Sequence, residues 1–150
     1  MRTVVQRVTQ AAVSIQGQET ARIGPGLLVL LGIEEADTEE DARWLVHKLQ
    51  NLRIFSDKEG KMNLSVDDIG GQVLIVSQFT LHAKTKKGFR PSFVHAAPPE
   101  KAIPLYETFI KMFEQKMPGK IQTGRFGAMM QVSLINDGPV TIIIDTKNKV

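Results

Sequence analysis

The chain has 150 residues, 42% of them hydrophobic, and nineteen Lys plus Arg against sixteen Asp plus Glu give a formal charge of +3. One domain spanning 1–150 is expected, burying about two-thirds of its unfolded surface, and the mild basic excess favours anionic partners without demanding them. The absence of cysteine excludes disulfides, thiol nucleophiles and zinc–thiolate sites, and a cytoplasmic address fits a core that needs no cross-links.

Met1 to Val5 reads as a strand rather than a signal peptide, and the apolar run Gly26 to Ile33 is far too short to span a bilayer, so no membrane association is expected. Thr3 to Val8 and Ala12 to Gln16 are rich in β-branched residues, Gly17 supplies a turn, and Thr20 to Ile23 resumes an extended pattern, together predicting a strand meander. Gly26 to Ile33 shows no alternation, which suits a strand covered on both faces, with helices on at least one side. Asp37, with Glu40 three residues later, resembles a capping box. Ala42, Leu45, Leu49 and Leu52 then recur at helical spacing, predicting a helix over 38–52.

Ser56 to Lys61 and Gly70-Gly71 are turns, the second preceding a buried strand predicted over Val73 to Leu81. From His82 to Pro99 there is no acidic residue, while Lys84, Lys86, Lys87 and Arg90 are interspersed with Gly88 and Pro91. This is a long basic loop, a class that is often functional. Pro98 and Pro99 open a second helix over 98–116, lined on one face by Leu105, Phe109, Met112 and Phe113 and stopped by Pro118-Gly119. Lys120 to Thr123, Ala128 to Ile135 and Val140 to Asp145 return to strand character, with Asn136 to Thr141 making a turn between the last two. The expected fold class is a three-layer α/β domain of mostly antiparallel, barrel-like sheet covered by helices 38–52 and 98–116.

Common catalytic patterns fail one after another. Ser77 follows a strand, but no glycine stands two residues before or after it, so the nucleophile-elbow pattern is absent. His47, His82 and His95 lack the i, i+4 spacing of a helical metal site. Gly24-Pro25-Gly26 and Gly60-Lys61 do not complete a phosphate-binding loop. Neither a metal nor another cofactor is expected.

Two segments break local consistency in the way functional sites tend to. Ser77-Gln78-Phe79-Thr80-Leu81 places hydroxyls, an amide and an aromatic ring at a strand end. Strand alternation there turns Ser77, Phe79 and Leu81 one way and pairs Gln78 with Thr80 on the other. Asn136-Asp137-Gly138-Pro139-Val140-Thr141 follows the Asp-Gly of an ordinary hairpin with a proline, which removes a ladder donor. Both also have plain structural readings, local hydroxyl-to-backbone bonding in the first and a simple turn in the second. The basic loop reads either as a solvated surface or, because Gly88-Phe89-Arg90-Pro91-Ser92-Phe93 mixes aromatics with cations, as a surface for single-stranded RNA.

Both segments resemble the paired signatures of the D-aminoacyl-tRNA deacylases, and the likeness runs through the chain. Val4 to Val8, Gly26 to Ile33, Gly60 to Ser65, Arg90 to Phe93 and Thr123 to Met129 all fall in that family's order. The resemblance implies hydrolysis of D-amino acids from mischarged transfer RNA by a homodimer, with Ser77 to Leu81 of one subunit meeting Gly138-Pro139 of the other. It further implies a cis bond before Pro139, with two main-chain carbonyls facing the substrate α-carbon, and Arg7 steadying the turn, supported by Asn136 and Thr141. Ser77, Gln78, Phe79 and Thr80 would lie beside the ester, while Phe79, Phe126 and Met130 hold the terminal adenosine. Lys84, Lys86, Lys87 and Arg90 would meet the RNA backbone.

D and L isomers differ in which α-carbon position carries the side chain, so a rigid main-chain wall against one position discriminates by exclusion. Such a wall leaves the D side chain unread and admits glycine. For bond cleavage two routes stand open: Thr80 as nucleophile, poorly activated without a base, or water attack with main-chain amides near Phe79 and Thr80 stabilising the oxyanion and the RNA ribose hydroxyl assisting. The second is favoured. A non-catalytic RNA-binding module and a small-molecule esterase are the alternatives; the first leaves the Gly-Pro turn unexplained, and the second requires free D-amino acid esters to react as readily as tRNA-linked ones.

Overall fold

The computed structural model describes residues 1–150. Its elements are β1 (Arg2–Ile15), β2 (Gln18–Ile23), β3 (Gly26–Gly32), α1 (Glu39–Asn51), β4 (Phe55–Ser56), β5 (Met62–Leu64), β6 (Gln72–Ser77), α2 (Pro99–Lys116), β7 (Ile121–Thr123) and β8 (Gln131–Asp145), with a 3₁₀ turn at Phe79–His82. The two strands expected at the amino end are one, β1, because Thr9 and Gln10 stay extended while exposed.

β1 is the spine of the sheet. One of its edges pairs with β8 over Arg2 to Ser14, while the other is shared by β3, opposite Arg2 to Val8, and β2, opposite Ala11 to Ile15. β2 curls back to lie against β6 and β7, nearly closing a barrel. The expected meander is corrected in part, since β3 returns to β1 rather than to β2, and β3–β6 and β6–β7 are parallel. The cause is the helices: α1 and α2 lie in the crossovers between those strands, and a parallel pair needs such a connection.

The unalternating β3 is covered on both faces. Leu27, Val29 and Leu31, with Val73 and Ile75 of β6, join Leu45 and Leu49 of α1 and Phe109 and Phe113 of α2 in one core. Leu28, Leu74 and Val76 point the other way, into a barrel interior completed by Val8, Ala11, Val13, Ala21 and Ile23. Helices, near wall and far wall form the three layers.

Capping of α1 falls one residue later than expected. Thr38 is the N-cap, and its amide donates to Asp41 Oδ2 at 2.9 Å. Burial alone would raise the Asp41 pKa, but donors from Lys147 and Thr38 hold the carboxyl well below its ordinary value. Asp37 is instead drawn into a buried ion pair with the Met1 ammonium, its second oxygen accepting the Glu34 amide at 2.8 Å. Charge pairing outweighs a capping bond that Thr38 supplies as well.

Gly26 marks where β3 and β6 come closest: a Cβ there would stand 1.8 Å from the Gln72 carbonyl oxygen, a backbone atom. Gly26→Ala is therefore expected to spread the parallel pair and destabilise the fold by about 1–3 kcal/mol, measured by thermal or denaturant unfolding. An unchanged midpoint would contradict the close approach.

Candidate active site

β6 ends at Ser77 rather than Leu81, because its parallel ladder to β3 runs out at Leu31 opposite Ser77. Gln78 donates its amide to Leu31 O at 2.7 Å, and the chain then tightens, with Leu81 N donating to Gln78 O at 3.2 Å and Ala83 N to Thr80 O at 3.1 Å. The expected alternation of Phe79 and Leu81 against Thr80 is thus replaced by a 3₁₀ turn. Gln78 and Thr80 still meet, for a different reason: the turn brings the Gln78 side-chain amide to Thr80 Oγ1 at 2.5 Å. Gly32 permits the packing, since a Cβ there would lie 3.0 Å from Gln78 O and 3.0 Å from the His82 ring. From the far side, an Arg2 guanidinium N–H donates to Leu81 O at 2.9 Å.

Two hollows flank Ser77, Gln78 and Phe79. One is walled by Leu31, Ile33, Ala97, Ala102 and Phe126, the other, about 300 Å³, by Val76, Val132 and residues 127–130. Phe126 and Met130 thus reach the strand-end segment from the β7–β8 connection, as does Gly127, to which the sequence assigned no site role. Phe79 is exposed, and its ring lies 5.1 Å from that of Phe93, edge to face. Tyr106 was also missed; it belongs to the apolar stripe of α2, and no local signal marks its role. It backs Phe126 at 5.6 Å and donates its hydroxyl to Ile75 O at 3.3 Å. Burial pushes the Tyr106 pKa up to about 12.

The segment from Asn136 to Thr141 is not a turn between two strands. β8 is continuous; Gln6 of β1 faces Thr141 and Val8 faces Asn136, so Asp137, Gly138, Pro139 and Val140 bulge opposite Arg7 alone. The Gly138–Pro139 peptide is cis. Gly138 sits at φ +148, and a Cβ there would lie 2.7 Å from the Val140 amide nitrogen, so only glycine fits. The Asn136 side chain closes the bulge, accepting the Val140 amide at 2.7 Å and donating to Val140 O and Thr141 Oγ1, each at 3.1 Å. Arg7, buried, donates Nε–H to Asp137 O at 2.8 Å and Nη1–H to Ile54 O at 2.6 Å. Within one chain the bulge and the hollows stay apart: neither hollow is lined by Gly138 or Pro139.

Lys84, Lys86, Lys87 and Arg90 are all exposed on the loop that follows the 3₁₀ turn. No three His, Asp or Glu side chains are placed to hold a metal ion, and no helix is long and apolar enough to cross a membrane.

A model of the family described as D-Tyr-tRNA(Tyr) deacylase matches residues 4–145. The chain belongs to that family. D-aminoacyl-tRNA deacylases of Akkermansia muciniphila and Cytophaga hutchinsonii are 62% and 61% identical to it over 149 residues, covering 99% of each chain. A solved c-Myc DNA unwinding element binding protein superposes with a TM-score of 0.93 at 44% identity, covering 97% of this chain and 98% of the other. A probable eukaryotic D-amino acid tRNA deacylase, at 18% identity and a TM-score of 0.81 over 95% of this chain, shares the fold. The deacylases of this family are hydrolases acting on the aminoacyl-tRNA ester, so the chain is an enzyme, a carboxylic ester hydrolase of that class.

Two outcomes follow for this deacylase. Gly32→Ala is expected to push the Gln78 carbonyl and lower kcat about tenfold or more, since small misplacements of reacting groups carry large rate costs; full activity would separate that packing from catalysis. Tyr106 is the chain's sole tyrosine, so ultraviolet titration of tyrosinate reads it alone. An unfolded tyrosine ionises near pH 10, while the folded group has a pKa of about 12. Its contribution to stability is complete below the unfolded value and is lost as pH rises through the folded one. Titration at the ordinary value would show the ring to be solvated.

Proposed function

We infer that this chain acts as a cytoplasmic, single-domain homodimer that removes D-amino acids and glycine from transfer RNA, with Gly138-Pro139 of one subunit completing the pocket at Ser77 to Thr80 of the other. The carrying observation is the division within one chain. A braced, glycine-dependent bulge presents exposed main chain at Gly138 and Pro139 away from the hollows that flank Gln78 and Phe79. Ile135 and Ile143, large and exposed on the same strand, favour a partner surface alongside the bulge.

In this arrangement the terminal adenosine lies between Phe79, Phe126 and Met130, the ester beside Gln78 and Thr80, and the RNA backbone along Lys84, Lys86, Lys87 and Arg90. The wall made by Gly138-Pro139 carries no side-chain rotamer, and its holders Arg7, Asn136 and Thr141 act on its backbone or on one another. It turns away an L side chain and reads nothing of a D side chain.

Thr80 is poorly placed as a nucleophile. Its hydroxyl receives a bond from the Gln78 amide, which cannot take its proton. His82, two residues beyond Thr80, is buried with its Nδ1 3.9 Å from a Glu34 carboxylate oxygen. The amides of Phe79 and Thr80 open the 3₁₀ turn, where donors lack an intrahelical acceptor, and so are available to an oxyanion. Water then attacks the ester carbonyl, the neighbouring hydroxyl of the terminal ribose relays the water's proton, and the ester C–O bond breaks with the ribose oxygen leaving as a hydroxyl that carries that proton.

Incubation with matched D-, L- and glycyl-tRNA tests the reading: the D and glycyl esters are cleared and the L ester persists. Complete resistance of glycyl-tRNA at enzyme levels that clear D-aminoacyl-tRNA would reject steric exclusion as the whole account. Thr80→Ala is expected to retain substantial turnover, whereas a substrate lacking the neighbouring ribose hydroxyl reacts far more slowly; abolished turnover in the mutant would restore Thr80 as nucleophile.

A further inference from the structure

The basic loop is an organised projection. Lys84 and Ser92 close its base through two backbone bonds, Lys84 N to Ser92 O at 2.8 Å and Ser92 N to Lys84 O at 3.0 Å. Every residue between them is exposed, and Gly88, at φ +68, turns the tip. Phe89, next to that glycine, is fully exposed at 107%. An aromatic ring held wholly in water gains nothing from the fold, and in sequence it is flanked by Lys86, Lys87 and Arg90 with no acidic side chain from His82 to Pro99. Ring and cations together have the chemistry of a platform for unpaired bases, stacking on one side and phosphate neutralisation on the other.

The loop's root lies at the site. Phe93, one residue past the closing pair, meets Phe79 at 5.1 Å. Seven residues folded back on themselves reach about 10 Å, the rise of about three stacked nucleotides at about 3.4 Å each.

We propose that Phe89 is a stacking platform for an unpaired base in the single-stranded RNA just before the terminal adenosine, with Lys86, Lys87 and Arg90 on the flanking phosphates. This rests on the assignment of the adenosine to Phe79 and its neighbours, and it extends recognition from the esterified nucleotide to the strand that carries it. The contact is sequence-tolerant, because every base offers a π face. It makes the enzyme prefer a free single-stranded end over an isolated nucleoside ester.

The test compares wild type, Phe89→Ala and Phe89→Trp in two assays. In the first, D-aminoacyl-tRNA and the D-aminoacyl ester of adenosine are hydrolysed in parallel. The ratio of their kcat/KM values is expected to fall about tenfold in Phe89→Ala, through KM, and to recover in Phe89→Trp, the size being that of one base–aromatic stack. An unchanged ratio overturns the proposal. In the second, uncharged RNA hairpins with and without an unpaired 3′ extension are bound at fixed salt and read by fluorescence anisotropy. Wild type is expected to favour the extended hairpin, and Phe89→Ala to lose that preference; equal binding of both hairpins by wild type overturns the proposal. The second assay needs no hydrolysis, so a failure of the deacylase reading and a failure of the stacking platform give different results.

Discussion

A single buried guanidinium ties the bulge in β8 to the chain entering β4. Arg7 lies midway along β1, the strand that pairs with β2, β3 and β8, and it donates at once to the bulge in β8 and to the chain entering β4. A cation in that position is tolerable only when its donors are used, and hydrogen bonds from a charged group are each worth roughly 1.5–3 kcal/mol. The backbone of the bulge is therefore referenced to the core, where neighbouring Val140 is buried among the residues under the helices. A surface feature of four residues opposite one is thereby tied to the sheet and to the core beneath it.

The other half of the site follows from strand direction. β3, β6 and β7 run parallel, so their carboxyl ends lie together. Leu31 and Ile33 at the end of β3, Ser77 at the end of β6, and Phe126 just beyond β7 line one hollow for that reason. Ligands in open α/β sheets gather at such ends, where the ladder stops and backbone groups are released. Here the released groups belong to the Phe79–His82 turn. Its position depends on Gly32, on the Gln78–Leu31 bond and on Arg2, all of them contacts between distant parts of the chain.

Parallel strands also account for where the helices sit. Each crossover carries one helix across the same face of the sheet, and α1 and α2 pack on one another there. The far face of the sheet is left to close on itself around Leu28, Leu74 and Val76. One arrangement thus explains both the barrel interior and the apolar roof over the opposite side of the wall.

The sequence by itself determined the elements whose signal is periodic or compositional. The apolar stripe from Ala42 to Leu49 bounded α1 within a residue, unbroken hydrophobicity from Gly26 marked β3 as covered on both faces, and the acid-free run after His82 marked the basic loop. Serine, threonine, glutamine, glycine and proline at two unusual places singled out the candidate site. Only the tertiary structure decided what those places became. The run after Ser77 leaves the extended path because β3 has ended beside it, and Asp137 to Val140 bulge within a strand because β1 holds both flanks in register around Arg7. Asp37 is a partner of the amino terminus rather than a cap because a charge distant in sequence reaches it first. Periodicity reports what each segment buries, whereas the end of a ladder, the bracing of a bulge and the choice of an ionic partner are set by residues far away along the chain, which local pattern does not contain.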